Sequence, residues 1–193
     1  MPKPLNYVHT YYDIQVVDSE IREMKGFIDQ VPDSWYRPNQ LSYEDKDRDI
    51  YIEKYRSCGI LFSLDEESVF HRVGRQIFYA INTMHFEYDL SDKFEFQILK
   101  YKPGGHYEWH IDYGSCAHSG LDRKLSMSIQ LSDENEYEGG ELEIISAGHK
   151  DIKAGKALGS GIVFDSKVTH RAKPVTKGER IVLVGWAAGP KLR

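Results

Sequence analysis

The stretch Leu125-Ser126-Met127-Ser128-Ile129-Gln130-Leu131 alternates apolar and polar residues without a break. Successive side chains of a β-strand point to opposite faces, so this alternation predicts a strand with one face buried in the core. Further short strands are predicted at 141–144, 161–164 and 181–184, between Gly and Pro residues that are typical of turns. Several short strands in succession favour a double-sheet or barrel-like β core from residue 94 onward.

The residues before this core predict one strand and two helices. Residues 7–17 are rich in Tyr, Val and Ile, which suits a strand. Asp18 or Ser19 can cap a first helix, whose apolar residues at helical spacing are Ile21, Met24, Ile28 and Val31. A capping-box pattern at 63–66 precedes a second helix, whose apolar stripe consists of Val69, Val73, Ile77 and Ile81.

The composition argues against several classes of function. A chain of 193 residues suits one well-packed domain, and a formal net charge of −5 argues mildly against a protein built to bind nucleic acid. No apolar run approaches the length of a membrane span, and the sequence does not open on a signal-peptide pattern. The two cysteines, Cys58 and Cys116, favour free thiols in a reducing compartment, so we expect a cytoplasmic protein.

His110 and Asp112 stand two residues apart at the end of a predicted strand, so both side chains can face one metal ion. Alone, this His-x-Asp pattern fits a solvated strand end better than a metal site. His170, however, follows the apolar residues 162–164, where a neighbouring strand could return it to the first pair. Two histidines and one carboxylate on one face of a metal leave the other positions open, as in non-haem Fe(II) oxygenases.

Arg180 directly precedes the predicted strand 181–184. If the strand continues to Trp186, the side chain of Arg180 points to the same face as those of Val182, Val184 and Trp186. A guanidinium among apolar side chains needs a carboxylate partner, because burying an unpaired charge is costly. A dicarboxylate cosubstrate could supply that partner through a bidentate pair. Alone, Arg180 fits a surface residue better; together with the three candidate metal ligands it indicates a cosubstrate site.

Three stretches carry a resemblance that no single motif carries: QILKYKPGGHYEWHID at 97–112, YEGGEL at 137–142 and THRAKPVTKGER at 169–180. In this order and spacing they resemble the catalytic core of the 2-oxoglutarate and Fe(II)-dependent dioxygenase superfamily. The prolyl 4-hydroxylase-like branch is the most similar. The resemblance covers about half of the chain, from residue 94 to residue 189.

This resemblance implies a fold and a set of roles. The fold would be mainly β with flanking helices: a double-stranded β-helix, or jelly roll, at 94–189, buttressed by α-helices and strand from 1–93 within one domain spanning 1–193. His110, Asp112 and His170 would be the iron ligands. Arg180 would bind the distal carboxylate of 2-oxoglutarate, and Tyr101 would help to fix that cosubstrate. Many relatives have an aromatic residue beside the cosubstrate where this chain has Gln130.

The implied activity is a hydroxylation that uses Fe(II), 2-oxoglutarate and O₂, with ascorbate as a candidate reductant. An unactivated C–H bond would be hydroxylated while 2-oxoglutarate is decarboxylated to succinate and CO₂. The expected substrate is a prolyl residue in a peptide or protein. Three alternatives stay open: a small-molecule hydroxylase, a nucleic-acid demethylase of the same superfamily, and a jelly-roll module that binds a metal or carboxylate without turnover. Oligomeric state cannot be read from the sequence.

Overall fold

The computed structural model of the chain describes residues 10–38, 54–62, 64–114, 120–146 and 149–191. Within these ranges the helices are α1 (Asp18–Ile28) and α2 (Val69–Ile81), with a 3₁₀ turn at Asp33–Trp35 and a π-helical turn at Asn82–Phe86 that continues α2. The strands are β1 (Tyr11–Gln15), β2 (Arg37–Pro38), β3 (Arg56–Ser57), β4 (Gly59–Leu61), β5 (Phe94–Tyr101), β6 (His106–His110), β7 (Leu121–Gln130), β8 (Tyr137–Gly139), β9 (Leu142–Ser146), β10 (His149–Lys153), β11 (Ser160–Asp165), β12 (Thr169–Ala172), β13 (Val175–Gly178) and β14 (Arg180–Pro190).

The strands form a major sheet in the order β1-β11-β7-β14-β5-β4-β2 and a minor sheet in the order β10-β9-β12-β6-β3. A two-stranded ribbon joins β13 to β8, and neighbouring strands run antiparallel. The predicted fold class, mainly β with flanking helices, is therefore confirmed. Strands from before residue 94 also belong to both sheets, so this part of the chain supplies sheet edges as well as the helical support expected of 1–93.

The two helices cover the outer face of the major sheet. Ile21, Met24 and Ile28 of α1 are buried in the same apolar cluster as Phe70 and Val73 of α2, as the helical spacing predicted. The same cluster contains the apolar face of β7, which comprises Leu125, Met127 and Ile129. This layer buries most of the large apolar side chains and makes the major sheet a rigid support.

The predicted helix caps were wrong at both helices. Helix α1 begins at Asp18 and has Val17 at its N-cap, and it has no side-chain cap because the valine side chain offers no hydrogen-bond acceptor. Helix α2 begins at Val69, and Ser68 caps it by accepting from the His71 N–H at 3.4 Å. Asp65 instead forms a turn by accepting from the Glu67 N–H at 2.8 Å. The first residue of the predicted box, at 63, lies outside the described residues.

The polar face of β7 lies inside the protein. The alternation correctly predicted a strand with one apolar face, but the opposite face is buried too: Ser126, Ser128 and Gln130 are all buried. They point into the space between the two sheets, where Ser126 and Gln130 hydrogen-bond to other buried polar side chains. A strand can carry polar residues internally when such partners are available.

Two further features of the structure concern membrane-spanning helices and the cysteines. Within the described ranges, no helix is both long and apolar enough to cross a lipid bilayer. Cys58 is a free thiol among the described residues, and burial raises its pKa although Arg56 opposes that effect. Cys116, the other cysteine, lies outside the described residues.

Close packing of α2 on the major sheet yields a stability test. A Cβ added at Gly74 would lie 2.2 Å from Cε1 of Phe96, and a Cβ added at Gly185 would lie 2.5 Å from the same ring. Alanine favours a helix over glycine by about 1 kcal/mol, but overpacking a core costs roughly 1–3 kcal/mol. We expect Gly74→Ala to lower the free energy of unfolding by about 1–2 kcal/mol in urea denaturation.

Gly26→Ala is the matched control for this substitution. Gly26 lies in α1, and a Cβ added there would meet no described atom within 4 Å beyond its chain neighbours and its own helix backbone. The helix-propensity gain should therefore appear alone as a stabilisation. Stabilisation of similar size by both substitutions would contradict the close packing of α2 on β5.

Candidate metal and cosubstrate site

The pairing of β6 with β12 brings the three candidate metal ligands together. His110 ends β6 and lies directly opposite His170 of β12 in the antiparallel register. Asp112 follows two residues later, where its N–H and that of Tyr113 both donate to the Ser166 carbonyl, at 3.0 and 2.9 Å. The backbone therefore fixes all three positions before any metal arrives.

The ligand atoms are close enough for one ion. Asp112 Oδ1 lies 3.6 Å from His110 Nε2, and Asp112 Oδ2 lies 3.5 Å from His170 Nε2. One ligand atom from each of the three residues lies within 4.8 Å of the others. Atoms about 2.1 Å from a shared ion on one face are separated by roughly 3 Å or slightly more. The arrangement thus suits a single divalent ion with little movement.

Backbone carbonyls set the tautomers of both imidazoles. Nδ1 of His110 lies 2.7 Å from the Glu108 carbonyl, and Nδ1 of His170 lies 3.0 Å from that of Val168. Because a carbonyl oxygen can only accept, each Nδ1 carries the proton and donates. The lone pair of each Nε2 then faces Asp112, as a metal ligand requires.

Aromatic side chains hold the two ring planes. The ring of Tyr107 stacks on His110 with centroids 3.5 Å apart, and Phe164 packs against His170 at 4.7 Å with its ring steeply inclined. Such contacts restrict rotation of the imidazoles and exclude water from their outer faces. The ligand geometry is therefore supported by packing as well as by hydrogen bonds.

Asp112 is held as a carboxylate. Burial by itself would raise its pKa, but the neighbouring His170 and His110, together with hydrogen bonds from Trp186 and Ser126, bring the pKa below its usual value. The Ser126 hydroxyl donates to Oδ2 at 2.8 Å and lies 2.9 Å from the Ser166 hydroxyl. These donors orient the carboxylate towards the histidines.

The triad lines a cavity of about 120 Å³ between the two sheets, and Arg180 lines the same cavity. Val182, Val184 and Trp186 also face it, as their shared strand parity with Arg180 predicted. Apolar walls with a few converging polar groups are typical of small-molecule sites. The structure therefore brings the predicted metal ligands and the predicted anion-binding residue to one place.

Arg180 is only 1% exposed, yet no described carboxylate pairs with it. Its Nε donates to Gln130 Oε1 at 3.2 Å, whereas its Nη2 has no hydrogen-bond partner among the described residues. A buried guanidinium with an unsatisfied donor carries a desolvation penalty that a bound anion would offset. A carboxylate bound in the cavity would complete this site, so the residues fit a 2-oxo dicarboxylate.

Tyr101 lies beside this guanidinium. It pairs with Arg180 across β5 and β14, and the Arg180 guanidinium carbon is 5.5 Å from the centre of its ring. Burial raises the pKa of Tyr101 far above its usual value, so the phenol stays protonated and can donate a hydrogen bond. The ring faces the shared cavity.

Three other polar or aromatic residues close to the triad in the chain, Arg123, Trp109 and His106, differ in whether they face the cavity. Arg123 lines the cavity, 3.9 Å above the Trp186 ring, with its Nε donating to Glu95. Trp109 lies instead against Arg171, and His106 binds the carbonyls of Lys54 and Gly104 in a turn.

The sequence reasoning missed two residues that support the site, Tyr107 and Ser126. Strand parity with Arg180 had already placed Trp186 on the cavity face, and Trp186 hydrogen-bonds to Asp112. No sequence pattern identified Tyr107 or Ser126. The role of Tyr107 depends on an irregularity in the pairing of β12 with β6, and that of Ser126 depends on the polar face of β7 being buried and not solvent-exposed.

Fold and site together define a double-sheet β protein with a two-histidine, one-carboxylate face and a buried arginine. Residues 96–188 match the family model described as the 2OG-Fe(II) oxygenase superfamily. The resemblance predicted from the three motifs is thereby confirmed for this segment, which is similar to that superfamily over slightly less than half of the chain.

Relatives and solved structures agree with this assignment. A PKHD-type hydroxylase of Gloeothece citriformis is 42% identical over 88 residues, which is 45% of this chain and 39% of the relative. One of Sphingopyxis alaskensis is 37% identical over 89 residues, covering 45% and 40%. The chain thus matches well under half the length of these relatives.

The fold is similar to those of solved prolyl hydroxylases. A Pseudomonas putida prolyl-4-hydroxylase has a TM-score of 0.73 at 20% identity, covering 95% of this chain and 94% of that one. A Trichoplax adhaerens prolyl hydroxylase in complex with a hypoxia inducible factor peptide fragment has a TM-score of 0.70 at 17% identity, covering 94% and 87%. At such identities the likeness establishes the jelly-roll fold alone.

The two histidines of β6 should titrate far apart in the metal-free protein. Burial, and then the nearby His170, lower the pKa of His110 to about 4. The pKa of His106 is raised instead: burial lowers it, but two backbone carbonyls accept from both ring nitrogens and outweigh that effect. NMR titration of the imidazole protons should therefore show His106 titrating above 6.5 and His110 near 4.

The sign of the pH effect follows from linkage. The unfolded chain binds a proton at this site below about pH 6.5, whereas the folded chain keeps His110 neutral until about pH 4. Stability contributed by neutral His110 should be complete above pH 6.5 and decline as the pH falls towards 4. A His110 resonance that titrates near 6.5 would contradict the buried, neutral ligand.

Proposed function

We propose that this protein is a 2-oxoglutarate- and Fe(II)-dependent dioxygenase that hydroxylates a prolyl residue in a peptide or protein. One observation carries the proposal: His110, Asp112, His170 and the unpaired Arg180 line a single cavity. Since the curated relatives extend well beyond the matched segment, the activity, substrate and partners of the whole protein are part of this proposal.

His110, Asp112 and His170 would hold the metal through Nε2, a carboxylate oxygen and Nε2. Two neutral imidazoles and one carboxylate suit Fe(II) and leave its remaining positions open to exogenous ligands. When bound, Fe(II) with 2-oxoglutarate and O₂ supplies a decarboxylation to succinate and CO₂ that is coupled to C–H hydroxylation. Ascorbate is proposed only as a reductant that keeps the metal in its active state.

Arg180 would bind the distal carboxylate of 2-oxoglutarate, with Tyr101 donating a hydrogen bond from the same side. Leu99 and Val182 form apolar walls of the cavity, and they would exclude water along the methylene groups of the cosubstrate. The protein's contribution is thus to orient the cosubstrate and shield the reaction.

A prolyl substrate is supported by the names of related proteins. The curated relatives are PKHD-type hydroxylases, and the structures with a similar fold include prolyl hydroxylases, one of them bound to a peptide fragment. In this chain, Arg123 and Trp186 face the cavity and would contact the substrate near the metal. We expect the substrate peptide to cover them.

The activity can be tested with proline-containing peptides, Fe(II), 2-oxoglutarate and ascorbate. Mass spectrometry should detect one added oxygen on a peptide, with one succinate formed for each hydroxylation. Asp112→Ala removes the only acidic member of the triad, so coupled turnover should fall to background. Asp13→Ala removes an exposed carboxylate on β1 and should retain full activity.

Full coupled activity of Asp112→Ala would refute the assignment of the metal ligands. Succinate formation that is accelerated by a small molecule or by single-stranded DNA, and by no peptide, would keep the cofactor chemistry but refute the prolyl substrate. Metal binding without any conversion of 2-oxoglutarate would indicate the non-catalytic module.

Arg180→Ala should raise the apparent KM for 2-oxoglutarate by about 100-fold or more, because the distal carboxylate would lose its buried charge partner. Arg180→Lys keeps a charge but not the forked geometry, so an intermediate KM is expected. Arg72→Ala, which removes an exposed guanidinium paired with Glu20 and Glu23, is the control. An unchanged KM in Arg180→Ala would show that Arg180 has another role.

A further inference from the structure

Gln130 is the last residue of β7 and lies opposite Val182 of the neighbouring β14. It is only 3% exposed, and its amide is held at both ends. Oε1 accepts from Arg180 Nε at 3.2 Å, and Nε2 donates to the Gly155 carbonyl at 3.4 Å. Because an arginine can only donate and a carbonyl can only accept, these two partners fix which way the amide points.

The other neighbours of the Arg180 guanidinium do not hold it in this way. The Tyr137 hydroxyl lies near the guanidinium and interacts with its charge, which opposes the rise that burial causes in the Tyr137 pKa. By distance and angle, however, neither that hydroxyl nor Nη2 of Arg180 has a well-formed hydrogen bond among the described residues. On another side, Gly140 leaves room for the side chain: a Cβ there would lie 2.9 Å from Arg180 Cδ. Gln130 therefore supplies the hydrogen bond that orients the fork.

The neutral charge of Gln130 matters as much as its hydrogen bond. An acidic residue at 130 would form an internal ion pair with Arg180 and satisfy the guanidinium without a ligand. The amide accepts only from Nε, so it leaves the positive charge uncompensated and Nη2 without a partner among the described residues. A buried cation in this state favours an incoming anion strongly, since the anion replaces an unsatisfied interaction.

We propose that Gln130 is the positioning residue that makes this pocket selective for a 2-oxo acid with a second, distal carboxylate. This inference rests on the proposed function, because it assumes that Arg180 receives the distal carboxylate of 2-oxoglutarate. Gln130 orients the guanidinium through Nε and keeps it unneutralised until that carboxylate binds. Selectivity for the dicarboxylate thus depends on a neutral residue at position 130.

The test compares two ligands of equal chain length, 2-oxoglutarate and 2-oxopentanoate, which lacks the distal carboxylate. Binding to the Fe(II)-loaded protein is measured by anaerobic calorimetry, so no turnover is needed. The unaltered protein should bind 2-oxoglutarate at least about 100-fold more tightly, as expected for a buried charge pair. Gln130→Glu should lose this preference, with a 2-oxoglutarate Kd at least about 100-fold higher and a 2-oxopentanoate Kd changed by less than about threefold.

Gln130→Met separates the hydrogen bond from the charge. Methionine has a similar length and no charge, so Arg180 stays cationic but loses its orienting acceptor. The 2-oxoglutarate Kd should rise about tenfold, and a reduced preference for the dicarboxylate should remain. Gln30→Glu makes the same charge change at an exposed side chain and should alter neither Kd. Thermal melts of each variant establish that it is folded.

The outcomes separate this inference from the proposed function. If the unaltered protein with Fe(II) does not bind 2-oxoglutarate, the proposed function fails. If it binds 2-oxoglutarate and Gln130→Glu retains the same preference, the role of Gln130 is refuted while the function stands. Should Gln130→Glu not fold, the methionine variant decides, because an unchanged 2-oxoglutarate Kd there would equally refute the role.

Discussion

The antiparallel pairing of β12 with β6 is the constraint on which the site depends. It places His170 opposite His110, although the two residues are far apart in the chain. Asp112 is fixed to the same place by backbone bonds to the Ser166 carbonyl, in the turn that precedes β12. Because hydrogen bonds of the main chain set all three positions, the ligand geometry is a property of the fold and not of flexible side chains.

Burial of the Arg180 guanidinium, which has no carboxylate partner in the part of the chain that the structure describes, is the second constraint. A protein rarely buries a guanidinium without a carboxylate, because the desolvation cost is large. Here the cost falls on Arg180, whose position is maintained by the packing of β14 between β5 and β7. The layer of apolar side chains between the major sheet and the helices supplies the stability that offsets this cost. Apolar packing on one face of the major sheet thus stabilises the fold enough to allow a buried charge in the binding site on the other face.

The sequence predicted the β fold, which the structure confirms, and it named candidate metal ligands and an arginine that the structure brings to one cavity. These predictions rest on parity along a strand, short apolar runs and characteristic spacing. The sequence did not predict that the polar face of β7 is internal. Alternation shows that a strand has one apolar and one polar face, but it does not show whether the polar face contacts solvent or the protein interior. The roles of Ser126 and Gln130 follow only from the structure, in which Ser126 hydrogen-bonds to Asp112 and Gln130 to Arg180. The predicted helix caps were wrong because both helices begin at other residues than expected: α1 begins directly after Val17, and α2 begins directly after Ser68.

The most direct test of the account is an anaerobic crystal structure of the protein with Fe(II) and 2-oxoglutarate. We expect one ion held by His110 Nε2, His170 Nε2 and an Asp112 oxygen, chelated by the cosubstrate, with the distal carboxylate paired to the Arg180 guanidinium. An ion held by other residues, or a distal carboxylate that points away from Arg180, would contradict the central claim.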